Sequence, residues 1–224
     1  MLSIVIPTLN AADSLPGTLA SLGEARIAGL AHEIVVSDGG SHDGTVEIAR
    51  QAGARVVIGA RGRGAQLARG AEAANGGWLL FLHADTRLAP GWLVPVRAFM
   101  GPGGRRAAYF RFALDDPHPA ARRIEALARW RCARLALPYG DQGLLIARKT
   151  YDAIGGFKPL PLMEDVDLVR RLGRRNLVPL DHLAVTSAQR YRRDGWWARP
   201  SRNLVCLSLY FLGVPPSRLQ RLYR

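Results

Sequence analysis

The sequence predicts an α/β domain: a mostly parallel central sheet flanked by helices, followed by a C-terminal helical appendage. Three observations carry this. Short runs rich in Val, Ile and Leu alternate with helical spacing through the first half of the chain, the pattern of a buried parallel sheet with crossover helices. Turn-rich acidic segments follow several of those runs. The last quarter changes character and becomes basic, apolar and helical in spacing.

Leu2–Ile6 reads as the first strand, stopped by Pro7. Leu15, Leu19 and Leu22 have helical spacing over Ser14–Leu22. Glu33–Val36 is a second strand and runs into the turn-forming SDGGSHDGT, residues 37–45, where Asp43 is placed to cap a helix over Thr45–Ala52. Arg55–Ile58 reads as a third strand, Gly64–Ala74 as an Ala-rich helix and Trp78–Leu82 as a fourth strand. Further on, Ala107–Ala113 and Gly143–Ala147 suit strands. Pro119–Leu135, Glu164–Leu172, Trp196–Leu212 and Ser217–Tyr223 suit helices. With no internal repeat or low-complexity linker, one domain over 1–190 with a helical extension over 191–224 is the simplest division.

Composition narrows the function classes. With 224 residues, 48% hydrophobic and 22% charged, the chain is globular in type rather than disordered. Two cysteines, Cys132 and Cys206, exclude a disulfide scaffold and a multi-cysteine metal cluster. The net charge is +13, and 29 of the 31 basic residues are arginine. Arginine suits phosphate recognition through its planar fork, but base-composition bias accounts for the preference equally well. The excess is uneven: net +3 over residues 1–112, zero over 113–169 and +10 over 170–224. Such a tail fits a nucleic-acid binder or an anionic membrane surface. No nucleic-acid reading motif accompanies it, so no nucleic-acid partner is expected. The start, MLSIVIPTLN, lacks the basic region of a secretory signal, and the apolar run Leu204–Val214 is about half the ~20 residues a transmembrane helix needs. The expectation is a cytoplasmic protein, its basic C-terminal segment packed on the domain, in a homodimer or peripherally on the inner face of the membrane.

Three acidic positions stand at strand ends or helix starts, where open α/β sheets bind ligands. Asp38 follows EIVVS, Asp85 follows WLLFLHA and Asp165 opens a helix in LMEDVDL. Each also suits a plainer role as a turn former, a cap or a first-turn acid favoured by the helix dipole.

Their order resembles a known family. PTLNAADSLPGTLASL, EIVVSDGGSHDGT, LLFLHADTR and GGFKPLPLMEDVDLVRRL, over about residues 2–175, resemble the family 2 glycosyltransferases, enzymes of GT-A, Rossmann-like fold that use nucleotide-activated sugars. GRGAQLARGAEAANGGWLLFLHADT, PYGDQGLLIARK and LGVPPSRLQRLYR resemble a small bacterial subgroup labelled as arsenosugar-biosynthesis-type transferases. The resemblance implies an inverting, metal-dependent transfer from a nucleotide-sugar, a UDP-sugar above all, to an acceptor hydroxyl. It places Pro7, Thr8 and Asn10 on the nucleotide pocket and Asp38 against the base, where a carboxylate accepts the uracil N–H. Of Arg61, Arg63, Gln66 and Arg69, it favours Arg61 and Gln66 as nucleotide or diphosphate contacts.

The stretch His83–Asp85 stands at the family's Asp-x-Asp motif, with His83 in place of the first aspartate. Asp85 matches the direct ligand of Mn²⁺ or Mg²⁺, and His83 is either a second ligand or a contact to sugar or phosphate. Asp165 matches the general base, with Glu164 the alternative. Asp141 and Gln142, in GDQG, lie where the subgroup contacts acceptor or donor sugar; they also suit a turn. QRYRRDGW loosely resembles the Gln-x-x-Arg-Trp motif of processive members, but Trp196 comes three positions late. Processivity is not expected; one of Arg190, Arg192 and Arg193 is expected near the diphosphate. His118 and His182 are read as surface or packing residues. A catalytically inactive nucleotide-sugar-binding module is the second reading, kept by the His83 replacement.

Overall fold

A computed structural model describes residues 1–101 and 105–223. The chain runs β1 (Leu2–Thr8), α1 (Leu15–Ser21), α2 (Gly23–Ile27), β2 (Ala31–Asp38), α3 (Thr45–Gln51), β3 (Arg55–Ile58) and α4 (Arg63–Ala73). Then come β4 (Trp78–Phe81), β5 (Thr86–Leu88), α5 (Leu93–Phe99), β6 (Ala107–Leu114), α6 (Pro119–Leu135), β7 (Leu144–Ala147) and α7 (Arg148–Ala153). It ends with α8 (Glu164–Leu172), β8 (Leu177–Thr186), α9 (Gln189–Asp194), α10 (Ala198–Phe211) and α11 (Pro216–Tyr223).

One eight-stranded sheet has the order β3-β2-β1-β4-β7-β6-β8-β5. The pairs β3/β2, β2/β1, β1/β4 and β6/β8 are parallel; β4/β7, β7/β6 and β8/β5 are antiparallel. The βα alternation of the first half therefore makes the parallel part expected from sequence.

Side-chain alternation along the central strands feeds two cores. Ile4, Ile6, Ile34, Val36, Leu80 and Leu145 point to one face and pack with Leu15 and Leu19 of α1. Val5, Val35, Leu79, Phe81 and Ile146 point to the other, against Leu67 and Ala71 of α4 and Leu168 and Leu172 of α8. Gly70 brings α4 close to the sheet, since a Cβ there would lie 2.4 Å from Val5 Cγ1. The other side of α8, through Val166 and Val169, receives Cys206 and Leu207 of α10 and Leu219 of α11.

Three expectations change. The first strand does not stop at Pro7 but runs on to Thr8, with Pro7 level with Ser37 of β2. The Val5 carbonyl accepts the Leu82 N–H, so Val5 bonds toward β4. Two residues on, Pro7 faces the same way, beyond Phe81, the last β4 residue in register. Its missing N–H therefore costs no ladder bond. The helix cap is Gly44, not Asp43. Asp43 sits one residue earlier and accepts the N–H groups of Thr45 (3.1 Å) and Ala12 (3.1 Å). And the longest strand, β8, lies where the sequence pattern predicted no element.

Candidate active site

The strand ends carry two adjacent groups of residues. The first lies at the ends of β1 and β2. Asp38 is fully buried there. One of its oxygens accepts the hydroxyls of Thr8 (2.8 Å) and Ser41 (2.6 Å); the other accepts the N–H groups of Gly40 and Ser41, both at 2.8 Å. Burial pushes this carboxyl up, but the donors from Ser41, Thr8 and Gly40 outweigh it and hold it below the ordinary aspartate value. The carboxylate expected to face a base thus spends its acceptor sites on its own loop.

Gln66, also buried, donates to the carbonyls of Thr8 (2.6 Å) and Ser37 (3.0 Å) and accepts the Gly62 N–H (3.2 Å). It ties β1, β2 and the start of α4 together. Asn10 adopts the left-handed region, φ 48°, and its side-chain oxygen accepts the His42 N–H at 3.0 Å. Asn tolerates that conformation well. Arg61 is exposed at the rim of this group.

The second group lines a cleft of about 740 Å³, open to solvent, at the ends of β4 and β8. His83 and Asp85 come from beyond β4, Asp141 from the turn before β7, Asp165 from the start of α8, and Arg190 and Arg199 from α9 and α10. The structure thus brings Asp85, His83, Asp141 and Asp165 together in one cleft. Gln142 is turned away: its amide donates to the Phe110 carbonyl (3.0 Å), and its oxygen accepts from Arg131 (3.1 Å).

Asp165 is held at both oxygens. The Gly140 N–H donates to Oδ2 (2.9 Å) and the Val166 N–H to Oδ1 (2.8 Å). Its place is set by Met163, a buried residue at φ 63° immediately before α8. A side chain in that region costs about 1–2 kcal/mol, strain of the kind found at functional sites. Glu164, the alternative base, faces inward: it is 1% exposed and ion-paired with Arg63. Burial raises its pKa, against the pull of Arg63.

Several buried polar atoms here lack a partner. His83 Nε2, Asp141 Oδ1, Glu164 Oε2 and Arg199 Nε are enclosed with no hydrogen-bond partner among the described residues. Such groups are uncommon in folded proteins and mark places where a ligand or an ion completes the set. Burial, reinforced by the Arg63 charge, pulls His83 down to about 4 despite Asp85 and Asp165, so its imidazole is neutral. Burial also pushes Asp141 up to about 6, with Asp165 and Asp85 adding to the rise and Arg131 opposing it.

Asp85 opens on the cleft with a loose ion pair to Arg190 at 3.9 Å. Among the described residues no three His, Cys, Asp or Glu side chains form a closed metal cage. The donor set suits a hard dication that takes one carboxylate from the protein and its remaining ligands from substrate phosphates and water. His83 Nε2 is shut against Gly140, where a Cβ would lie 2.5 Å away, so Asp85 is the group that meets such an ion.

Sequence reasoning passed over Tyr139, Thr186, Ser187, Arg199 and Asn203 as site residues, all of which line the cleft; Arg63, weighed with Arg61 and Gln66 but not favoured, lines it too. Of Arg190, Arg192 and Arg193, one of which was expected near a diphosphate, Arg190 lines the cleft; Arg192 pairs with Asp116 and Arg193 with Asp194, both at 2.7 Å. His118 and His182 are packing residues as expected. His118 caps α6 by accepting the Ala120 N–H (3.1 Å), and His182 bonds the Ala89 carbonyl (2.8 Å).

Comparison with known proteins follows from this geometry. The pattern described as glycosyl transferase family 2 matches residues 3–160. PGL/p-HBAD biosynthesis glycosyltransferases of Mycobacterium bovis and Mycobacterium tuberculosis are 40% identical over 109 residues, covering 45% of this chain and 42% of each relative. The match thus spans less than half of those relatives' own length. Glucosyl-3-phosphoglycerate synthase from M. tuberculosis, crystallised with Mn²⁺, UDP and glucosyl-3-phosphoglycerate, superposes with a TM-score of 0.64 at 22% identity, over 96% of this chain and 81% of that one. The same enzyme with Mn²⁺ and UDP-glucose gives 0.66 at 20% identity, over 96% and 80%. At these identities the likeness speaks for the fold.

Proposed function

This chain belongs to glycosyl transferase family 2, and from that premise we propose that it moves a hexose from a UDP-sugar to an acceptor hydroxyl with inversion at the anomeric carbon. The observation that carries the reading is the meeting of Asp85 and Asp165, 80 positions apart in sequence, in one cleft with Arg63 and Arg190. Asp165 accepts the proton of the acceptor hydroxyl as that oxygen bonds to the anomeric carbon and the bond to the diphosphate oxygen breaks. Both backbone N–H groups on Asp165 fix its carboxylate for that transfer. Glu164, buried on Arg63, is left to orient that arginine toward the diphosphate. Arg190 stands beside Asp85, 3.9 Å from its carboxylate.

Held by Asp85, Mn²⁺ or Mg²⁺ would neutralise charge on the departing nucleoside diphosphate. Thr8, Asn10, Asp38 and Gln66 shape the nucleotide pocket by ordering the strand ends and the 39–45 turn; Pro7 and Arg61 border it. His83 and Asp141 form the wall beside the sugar. UDP is favoured because it is the nucleotide in the solved structures that share this fold. The stretches quoted above for the arsenosugar-biosynthesis-type subgroup support that narrower assignment.

The test is a thermal-shift panel of nucleoside diphosphates with Mn²⁺ and Mg²⁺. UDP with Mn²⁺ is expected to stabilise the protein, and Asp85→Ala to abolish the shift. No stabilisation by any nucleoside diphosphate with metal overturns the reading. Retained donor binding with no transfer to any acceptor, in the wild type as in Asp165→Asn, would leave a nucleotide-sugar-binding module instead.

A further inference from the structure

The helix α10 is apolar on two sides, one of them facing outward, which is unusual for a helix on the surface of a globular domain. At about 100° per residue, Cys206 and Leu207 fall on the side that packs on α8, and Arg199 and Asn203 on the same side reach the cleft. Trp197, Leu204, Val205, Phe211 and Leu212 fall on the opposite side, interrupted by Ser201 and Ser208. Those apolar residues are 50%, 63%, 54%, 49% and 80% exposed. A surface helix ordinarily turns its apolar stripe to the core and its polar stripe to water. A cluster of exposed large apolar side chains facing outward marks an interaction surface.

We propose that this outer stripe docks the protein on an anionic lipid surface, with α10 lying in the plane of the headgroups. Charge selects the occupant. The stripe is embedded in the segment 170–224, with a net charge of +10. Arg218 and Arg221 on α11 are exposed, and Arg170 sits 4.9 Å from the centre of the Phe211 ring. A second copy would bring the same excess against itself. An anionic bilayer offers hydrocarbon to the stripe and negative headgroups to the surrounding arginines together. Among the described residues no helix is long and apolar enough to cross a membrane, and α10, 14 residues or about 21 Å long, is held against the domain on its inner side, where Arg199 and Asn203 reach the cleft. It therefore lies on the bilayer. Bound this way, the cleft wall stands about one helix diameter, ~10–12 Å, from the headgroup plane.

Flotation of the purified chain with vesicles tests this. Vesicles of mixed phosphatidylglycerol and phosphatidylcholine are expected to carry the protein up the gradient, pure phosphatidylcholine vesicles to leave it behind, and added salt to weaken the association. The double variant Leu204→Glu/Leu212→Glu is expected to lower partitioning at least tenfold, the order expected for losing two inserted leucines. Both sites are exposed, so its melting temperature and its response to UDP with Mn²⁺ should match the wild type. Failure to bind anionic vesicles overturns the proposal, as does equal flotation of the double variant. A dimer in sedimentation that the double variant dissolves, without vesicle binding, assigns the stripe to a second copy instead.

Discussion

The two sides of α10 differ in kind. Its inner side, with the cleft beyond it, encloses polar groups: His83 and Asp141 in the cleft lining, Arg199 on the helix itself and Glu164 buried beside Arg63, each with an atom lacking a hydrogen-bond partner among the described residues. Its outer side exposes hydrocarbon: Leu204, Val205, Phe211 and Leu212 stand in water. Both invert the ordinary rule of polar outside and apolar inside, and each inversion costs stability that the isolated chain does not recover. The teaching is that the enclosed charges await small polar ligands, which can satisfy single atoms, whereas the outward stripe awaits an extended apolar medium.

The largest test of the inner side is Asp165→Asn. Transfer should fall on the order of 10²–10⁴-fold, the usual worth of a positioned general base, while the UDP-dependent thermal shift persists. A rate within threefold of wild type would remove Asp165 from the chemistry. Next, Asp141→Asn should stabilise the metal-free protein. The folded pKa, raised to about 6 from 3.8, means that Asp141 contributes fully below about pH 4 and that this contribution is lost as pH rises through 6. At pH 7.5 the variant should therefore gain up to about 3 kcal/mol, shrinking toward zero by pH 4. Denaturant titrations at several pH values measure it; a gain that grows on acidification has the wrong sign.

A steric test is smaller. Gly140→Ala puts a Cβ 2.5 Å from His83 Nε2 and should cost about 1–3 kcal/mol of stability by overpacking. It should also slow transfer, because Gly140 holds the Asp165 carboxylate through its N–H. The smallest effect belongs to the outer side. Ser208→Leu closes the gap between Leu204 and Leu212 in the stripe and should raise partitioning onto anionic vesicles several-fold, with the cleft's response to UDP unaltered. If Ser208→Leu also changes that response, the two sides of α10 are coupled and the contrast between them weakens.

Much of the frame was legible before any coordinates. Arg55–Ile58, Pro119–Leu135 and Glu164–Leu172 form with the limits read from sequence, because each is bounded by local chemistry: a glycine, an N1 proline, an acidic first turn. Asp85 and Asp165 were legible as site residues for a related reason, since a carboxylate at a strand end or helix start is a local pattern. β8 was not legible. LVPLDHLAVT carries Pro179 and Asp181 and has no clean alternation; it is a strand because β6 and β5 pair with it on either side. Its propensity is contextual.

The direction of individual side chains was decided later still. Gln66 and Gln142 read as ligand contacts, yet each is buried and spends its amide on backbone carbonyls, whereas Arg63, less favoured than Arg61 and Gln66, and Arg199 line the cleft.

The sequence by itself therefore determined the α/β class, the order of strands and helices in the first half, the basic tail and the two carboxylates, Asp85 and Asp165, that the structure brings into one cleft. These follow from spacing and composition, which act within a few residues. Only the tertiary structure decided that β8 joins the sheet, that Asp38 bonds its own loop, that Arg190 rather than Arg192 or Arg193 faces Asp85, and which side of α10 meets water. Those outcomes depend on partners tens of residues away, and a buried polar group is directed by whichever distant donor or acceptor satisfies it.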